Sequence, residues 1–261
     1  MNKGYALITG ASKGIGLEIS KLFAKDCYNL VLVARSEDLL SALKKELESQ
    51  YKIKIELITI DLAEKDSASK IYNKTKELGL RVDYLVNNAG FGDYGEFVDT
   101  SMAKNHDMVM VNIVALMDLC HYFLQDMKRN NYGKILNVAS IASFIPGPLM
   151  ATYYATKAFV LSFSEALSKE LAYTKISITA LCPGTTKTNF FEVASASDSS
   201  LLKHLKPASP IAVALYGYKK MKQNKTIAIY GFGNRAMIFG TRFAPRKLIR
   251  DIAYKIQSKR K

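Results

Sequence analysis

Cysteine and histidine are scarce in this chain of 261 residues, and their placement excludes several classes of protein. Cys27, Cys120 and Cys182 are odd in number, far apart and without a C-x-x-C pair. This argues against a disulfide framework and for a reducing compartment, where we interpret Cys182 as a packing residue. The three histidines show no metal-ligand spacing, so the sequence predicts no metal site.

Long apolar runs are also missing. No run approaches the roughly 20 residues that a membrane-spanning helix needs. The first apolar stretch, residues 5–8, leads directly into a glycine-rich loop, which is not the arrangement of a signal peptide. We therefore expect a cytoplasmic protein.

Acidic residues are few, with 23 Asp and Glu against 37 Lys and Arg and a net charge of +14. More than half of the excess lies in residues 232–261, which contain nine basic residues and one acid. Apolar residues recur there at helical spacing between the cations, which is typical of a basic amphipathic helix in peripheral contact with an anionic membrane. The alternative is a C-terminal helix that covers the domain or a partner subunit. No recognition motif accompanies the charge, which disfavours nucleic acid.

Short apolar runs alternate with segments of helical period, as in βαβ units. Residues 29–33 are apolar except at the first position, as expected for a strand buried on both faces. The pattern predicts one α/β domain over residues 1–261, with a doubly wound, mainly parallel seven-stranded sheet and helices on both faces. The predicted strands are Tyr5–Ile8, Leu30–Val33, Ile55–Ile60, Tyr84–Asn87, Gly133–Val138, Ile176–Leu181 and Thr226–Tyr230. The predicted helices include Gly16–Lys25, Asp38–Gln50, Glu64–Leu78, Ser101–Arg129 and Thr152–Tyr173.

Three glycines, Gly10, Gly14 and Gly16, join the first strand to the first helix. Glycine there permits a tight turn and lets backbone N–H groups reach phosphates at the positive end of the helix. The spacing is G-x-x-x-G-x-G rather than G-x-G-x-x-G. In its strand–loop–helix context, this loop predicts a site for a dinucleotide pyrophosphate.

The end of the second strand indicates which nicotinamide cofactor fits. NAD enzymes usually carry an acid there for the ribose 2′-OH, whereas this chain has Arg35 and no acid before Glu37. Arg35 and Lys13 are placed to meet a 2′-phosphate, so the sequence predicts NADP(H).

Tyr153 lies four residues before Lys157 and thirteen after Ser140. Spacing of i, i+4 puts Tyr153 and Lys157 on one face of a helix, where the ammonium stabilises a phenolate. A free phenol has a pKa of about 10, too high for much turnover near neutrality, so we expect Lys157 to lower it. Ser140, at the end of the fifth strand, is placed to fix a carbonyl for acid catalysis. Tyr154 is a rival acid, but its spacing to Lys157 is three and we interpret it as a packing residue.

These motifs together resemble the short-chain dehydrogenase/reductase family, in its single-domain branch of roughly 250 residues. The resemblance covers about the first 190 residues and implies a Rossmann-type fold. It implies that Tyr153 is the general acid, that Ser140 binds the substrate oxygen, that Lys157 binds the nicotinamide ribose, and that Asn112 holds a water that relays protons to Lys157. The residues that carry it are Thr9–Gly16, Asp61-Leu62, Asn87–Gly90, Asn112, Ser140, Tyr153, Lys157 and Pro183-Gly184.

The same resemblance implies the cofactor contacts. Asp61 and Leu62 would face the adenine, and Pro183 and Gly184 would cradle the nicotinamide end. The full set of expected contacts is Gly10, Ser12, Lys13, Gly14, Ile15, Gly16, Arg35, Asp61, Leu62, Asn88, Ala89, Gly90, Tyr153, Lys157, Pro183, Gly184, Thr186 and Thr188.

The predicted function is reduction of a hydrophobic ketone or aldehyde by NADPH. Residues 91–95 and 142–150 should border an apolar pocket with Phe190, Phe191 and Val193, under a substrate lid at residues 185–210. One alternative is a cofactor-sensing regulatory protein on the same fold, disfavoured because a sensor needs no tyrosine acid. An epimerase or dehydratase of the longer branch would need a larger substrate region. The resemblance also implies a homo-oligomer, a dimer or tetramer, through the two long helices.

Overall fold

One parallel sheet of seven strands organises the protein. The computed structural model describes residues 4–188 and 207–258. All neighbouring strands are parallel, in the order β3-β2-β1-β4-β5-β6-β7. The predicted doubly wound, Rossmann-type sheet is confirmed. The strands are β1 Tyr5–Thr9, β2 Asn29–Ala34, β3 Ile55–Thr59, β4 Val82–Asn87, β5 Gly133–Val138, β6 Ile176–Cys182 and β7 Ile227–Ile229.

Helices cover both faces of the sheet. Alternate strand residues point to opposite faces, so Leu7 lies in one hydrophobic core and its neighbours Ala6 and Ile8 lie in the other. Helices α3, α5 and α6 pack against the first core, and α1, α2 and α7 against the second. In the described part of the chain the helices are α1 Gly14–Lys25, α2 Glu37–Gln50, α3 Ser67–Glu77, α4 Met102–Val109, α5 Leu116–Asn130, α6 Ala151–Glu170, α7 Pro210–Lys222, α8 Phe232–Thr241 and α9 Arg246–Gln257.

The predicted helix Ser101–Arg129 is interrupted by a π-helical turn. Met110–Ala115 has π geometry and joins α4 to α5. Such turns insert one extra residue and are frequent at functional sites. Asn112 lies within this turn.

By length and composition, the continuous stretch Met102–Asn130 is apolar enough to cross a membrane, which the sequence analysis did not anticipate. Core helices of soluble proteins pass the same test. Leu119, Phe123 and Met127 are buried in the first core against the sheet, so we assign this stretch to the core.

The basic C-terminal segment forms α8 and α9 up to Gln257. Residues 259–261 lie outside the described residues. So does most of the predicted lid, residues 189–206, with Phe190, Phe191 and Val193.

Candidate active site

A cavity of about 1010 Å³ lies at the carboxyl ends of the parallel strands, where α/β sheets bind ligands. Its wall contains residues that follow β1, β4, β5 and β6, namely Gly10, Asn88, Ser140 and Pro183. The topology therefore brings together segments that are far apart in the sequence.

The glycine loop is held tightly at one end of this cavity. Gly10 and Gly14 have positive φ angles of 64° and 59°, which glycine adopts without strain. The Asn88 side chain donates to the Gly10 carbonyl at 3.1 Å. A Cβ at Gly16 would lie 2.3 Å from the Gly10 oxygen, so only glycine lets α1 approach the loop.

The first turn of α1 fits an anionic group. Its N-cap residue, Lys13, makes no side-chain capping hydrogen bond, and Ser12, Lys13, Gly14 and Ile15 line the cavity. Free N–H groups at a helix N-terminus form a ready site for phosphate. The loop therefore fits the pyrophosphate of a dinucleotide.

Arg35 lines the cavity beyond the end of β2, but it has an acidic neighbour. Its Nη1 lies 3.4 Å from Asp61 Oδ2, and Asp61 Oδ1 accepts from the Ala63 N–H at 2.9 Å. The Arg35 side chain is 74% exposed, so this pair is solvated and contributes little stability. The guanidinium is therefore held only weakly and can turn toward a phosphate.

Ser140, Tyr153 and Lys157 meet on one wall of the cavity. Ser140 follows β5, and its Oγ accepts from the Ala142 N–H at 3.1 Å. Tyr153 and Lys157 lie one turn apart on α6. Lys157 Nζ is 5.9 Å from the centre of the Tyr153 ring and donates to the Val138 carbonyl at 2.8 Å.

Burial controls the pKa values of these groups. It raises the pKa of Tyr153 to about 12, while a hydrogen bond with Ser140 acts in the opposite direction. It lowers the pKa of Lys157 to about 8. The sequence led us to expect a phenol acidified by Lys157, but the protein groups alone leave Tyr153 protonated at neutral pH. Burial also raises the pKa of Cys182 to about 12, which makes its thiol unreactive.

Asn112 lies behind the cavity wall rather than on it. Its Nδ2 donates to the Phe91 carbonyl and to Thr156 Oγ1, each at 3.0 Å. Its Oδ1 accepts from the Phe91 N–H at 3.1 Å. The side chain thus ties the segment after β4 to α6, and the water-holding role that the resemblance implies stays a prediction.

Most predicted site residues share the cavity. Asn112 and Gly16 do not line it. The predicted residues that do are Gly10, Ser12, Lys13, Gly14, Ile15, Arg35, Asp61, Leu62, Asn88, Ala89, Gly90, Ser140, Tyr153, Lys157, Pro183, Gly184, Thr186 and Thr188.

Sequence patterns did not indicate one wall of the cavity. Met237 of α8 and the end of α9 also line the cavity. Tyr154, interpreted as a packing residue, lies on the same wall, and its hydroxyl accepts from Gln257 Nε2 at 2.9 Å. The only local signal was Gln257 one turn after Ala253, on the buried face of an amphipathic helix. The residues of this wall are Met237, Ala253, Lys255, Ile256, Gln257 and Ser258.

Residues 4–198 match the family model described as short chain dehydrogenase. The chain belongs to the short-chain dehydrogenase family. This family consists of oxidoreductases that act on CH–OH and C=O groups with an NAD(P) cofactor.

Similar short-chain dehydrogenases include a very-long-chain 3-oxoacyl-CoA reductase of Laccaria bicolor, 38% identical over 67% of this chain and 52% of that protein. The matched region thus spans about half the length of that relative. An uncharacterized oxidoreductase of Staphylococcus saprophyticus is 30% identical over 82% of this chain and 91% of its own. A short-chain dehydrogenase from Sphingobium yanoikuyae, solved in complex with NADPH, superposes with a TM-score of 0.82 at 27% identity, covering 92% of this chain and 94% of that one.

Proposed function

We propose that this short-chain dehydrogenase is an NADPH-dependent reductase that converts a hydrophobic ketone or aldehyde to an alcohol. The observation that carries the proposal is the convergence of Ser140, Tyr153 and Lys157 on one wall of a cavity that also contains the glycine loop. A hydrogen-bonding serine, a protonated phenol and a buried ammonium are the groups that carbonyl reduction requires.

NADPH, when bound, would supply the hydride to the carbonyl carbon of the substrate. Ser140 Oγ would donate a hydrogen bond to the carbonyl oxygen, and Tyr153 would give that oxygen its proton, leaving a phenolate that solvent reprotonates. The Val138 carbonyl fixes Lys157, whose remaining N–H groups would bind the ribose hydroxyls. The raised pKa keeps the proton on Tyr153 at neutral pH before the transfer, and it also makes the phenol a weak acid as long as only protein groups surround it.

The preference for NADPH rests on two cations. Lys13 and Arg35 both line the cavity near the pyrophosphate loop, and among the described residues Arg35 pairs only with the solvated Asp61. A charge-assisted hydrogen bond to phosphate contributes roughly 1.5–3 kcal/mol. The NADPH bound to the Sphingobium yanoikuyae protein supports the same choice.

Apolar side chains in the cavity wall support the proposed apolar character of the substrate. Phe91, Ile141, Ile145, Met237 and Ile256 line the cavity that also contains Tyr153. An apolar wall favours substrates with a sizeable hydrophobic group, which agrees with the long-chain acyl substrate named for the Laccaria bicolor relative.

The test is NADPH oxidation, with NADH in parallel, against aldehydes and ketones graded from short and polar to long and apolar. Turnover that rises with apolar length and is faster with NADPH supports the proposal. Tight NADPH binding with no reduction of any carbonyl would contradict it and favour the cofactor-sensing alternative.

We also propose that the outer face of α8 and α9 contacts an anionic membrane from the cytoplasmic side. Exposed apolar side chains stand there among cations, an arrangement typical of interfacial helices. The basic patch argues against an isologous dimer through this face, because two copies would bring like charges together. The exposed apolar residues of the two helices and their connection that do not line the cavity are Phe232, Phe239, Phe243, Leu248, Ile252 and Tyr254.

Sedimentation with vesicles of phosphatidylglycerol and phosphatidylcholine tests this contact. Lys247→Glu with Arg250→Glu on α9 should abolish binding, whereas Lys45→Glu with Lys52→Glu makes the same change in net charge elsewhere and should not. Equal loss with both pairs would show only a non-specific charge effect. Vesicle binding that persists in the Lys247→Glu, Arg250→Glu variant would exclude α9 as the membrane anchor.

We further propose a homo-oligomer formed through α5 and α6. Phe159 and Phe163 stack on each other on α6 with centroids 5.5 Å apart, and Met117 on α5 is 37% exposed. Light scattering after size-exclusion chromatography distinguishes a dimer or tetramer from a monomer. A monomer would contradict the proposal.

A further inference from the structure

The end of the chain returns to the catalytic cavity and is fastened there. The Tyr94 hydroxyl donates to the Gln257 carbonyl at 2.7 Å, and Gln257 Nε2 donates to the Tyr154 hydroxyl at 2.9 Å. Ala253, one turn earlier, is buried. The last turn of α9 is therefore a wall of the site rather than a solvated tail.

One polar atom of this wall is unsatisfied. Gln257 is 2% exposed, and its Oε1 is buried without a hydrogen-bond partner among the described residues. An unpaired buried acceptor destabilises the fold, so a ligand donor that pairs with it gains binding energy. The bond from Nε2 to Tyr154 also fixes the orientation of the amide, and Gln257 is one of the residues that line the cavity.

The position of this acceptor relates it to the reacting group. Tyr154 is the neighbour of Tyr153, and the two ring centroids are 6.0 Å apart. Tyr153, Tyr154 and Gln257 line the same cavity, so a substrate whose carbonyl meets Tyr153 can extend past Tyr154 toward Gln257. A donor on that part of the substrate would satisfy Oε1.

We propose that Gln257 is a specificity-determining residue, whose Oε1 accepts a hydrogen bond from a hydroxyl or amide N–H group on the carbonyl substrate. This inference rests on the proposed reductase function. It narrows the substrate class to apolar carbonyl compounds that carry a second, donor group remote from the carbonyl. A site built to bind a donor discriminates strongly against an analogue that lacks it.

Matched ketones test the inference. The probes are 4-(4-hydroxyphenyl)butan-2-one, its 3-hydroxyphenyl isomer and 4-phenylbutan-2-one, which has no donor. In the wild type, at least one hydroxylated probe should exceed the deoxy probe in kcat/KM by about tenfold. Gln257→Leu, and Gln257→Met as a second variant of similar length, should bring this ratio close to one.

Tyr94→Phe is the control for a purely mechanical role. It removes the bond to the Gln257 backbone and leaves the amide intact, so the preference for the hydroxylated probe should persist. The inference is wrong if the wild type shows no preference, which would mean that only a water molecule satisfies Oε1. The inference is also wrong if Tyr94→Phe and Gln257→Leu lower kcat/KM for all probes by the same factor, because Gln257 would then only hold α9 in place.

A binding measurement separates this inference from the proposed function. Calorimetry on the Tyr153→Phe protein with NADPH measures the affinity of each probe without turnover. A preference for a hydroxylated probe that disappears on adding the Gln257→Leu change supports the subsite even if the wild type reduces no carbonyl. Equal affinities for all probes would overturn it.

Discussion

Lys157 and Tyr153 lie one turn apart on α6, yet the ammonium is bonded to the Val138 carbonyl at 2.8 Å and is 5.9 Å from the centre of the phenol ring. The lysine is therefore held by the backbone rather than by the phenol. Burial consequently dominates both groups, with a pKa of about 12 for Tyr153 and about 8 for Lys157. Burial in the site therefore favours the neutral, protonated form of Tyr153 and disfavours the charged form of Lys157.

Lys157→Met should stabilise the cofactor-free protein at neutral pH while abolishing turnover. The fall in the Lys157 pKa from 10.5 to about 8 corresponds to a penalty of roughly 3 kcal/mol for the charged form in the fold. Between these pH values the unfolded chain binds more protons, so wild-type stability rises with pH across that window. The gain from Lys157→Met should thus be largest below about pH 8 and shrink toward pH 10.5. Urea unfolding at several pH values measures it, and a gain independent of pH would contradict an ionised buried lysine.

Asn112→Leu should destabilise the fold. It leaves the N–H and C=O groups of Phe91 without their side-chain partners, at roughly 1–3 kcal/mol each. Denaturant unfolding should show a loss of this order together with weaker NADPH binding. Full stability with lost activity would instead support the water-relay role that the family resemblance implies.

Arg35→Ala should weaken NADPH binding by about tenfold or more and leave NADH binding nearly constant, because only NADPH has the 2′-phosphate. Titration with each cofactor measures the ratio. Arg81→Ala is a matched control, since Arg81 is also exposed and paired with an acid, Asp83 at 3.0 Å, but does not line the cavity. The same loss for both cofactors would mean that Arg35 does not read the 2′-phosphate.

Gly16→Ala should disrupt the pyrophosphate loop, since the new Cβ would meet the Gly10 oxygen at 2.3 Å. Gly240→Ala makes the same change near the end of α8, where the new Cβ would meet no described atom within 4 Å outside its own helical turn, and should be neutral or stabilise by roughly 0.5–1 kcal/mol. Thermal unfolding and NADPH titration of both variants provide the comparison. Equal thermal stability and equal NADPH affinity of the two variants would show that the loop accommodates the extra Cβ and that the close approach of α1 is not required.

The sequence predicts those parts of the fold and site that local patterns encode. β2 is apolar on both faces, so its burial in a parallel sheet follows from its composition. The glycine loop and the spacing of Tyr153 and Lys157 are equally local. The Arg35–Asp61 pair depends on the register of two neighbouring strand ends, which spacing along the chain does not reveal.

The C-terminal wall shows where sequence patterns no longer suffice. Gln257 meets partners 103 and 163 residues away, and its docking depends on how α9 packs after the whole sheet has formed. Helical periodicity predicted an amphipathic helix there, but it did not indicate which surface the helix covers. The hydrogen bonds of the Asn112 side chain to Phe91 and Thr156 depend in the same way on tertiary packing, which spacing along the chain does not reveal.

Transfer of deuterium from NADPH labelled at the reactive C4 position tests the central claim most directly. With an accepted ketone, the wild type should place one label on the carbonyl carbon for each NADPH oxidised. Tyr153→Phe should bind NADPH and slow this transfer by about 10²–10⁴-fold, whereas Tyr154→Phe should retain transfer with an altered substrate preference. Wild-type rates of transfer in Tyr153→Phe, or NADPH oxidation without label in the alcohol, would contradict carbonyl reduction with Tyr153 as the acid.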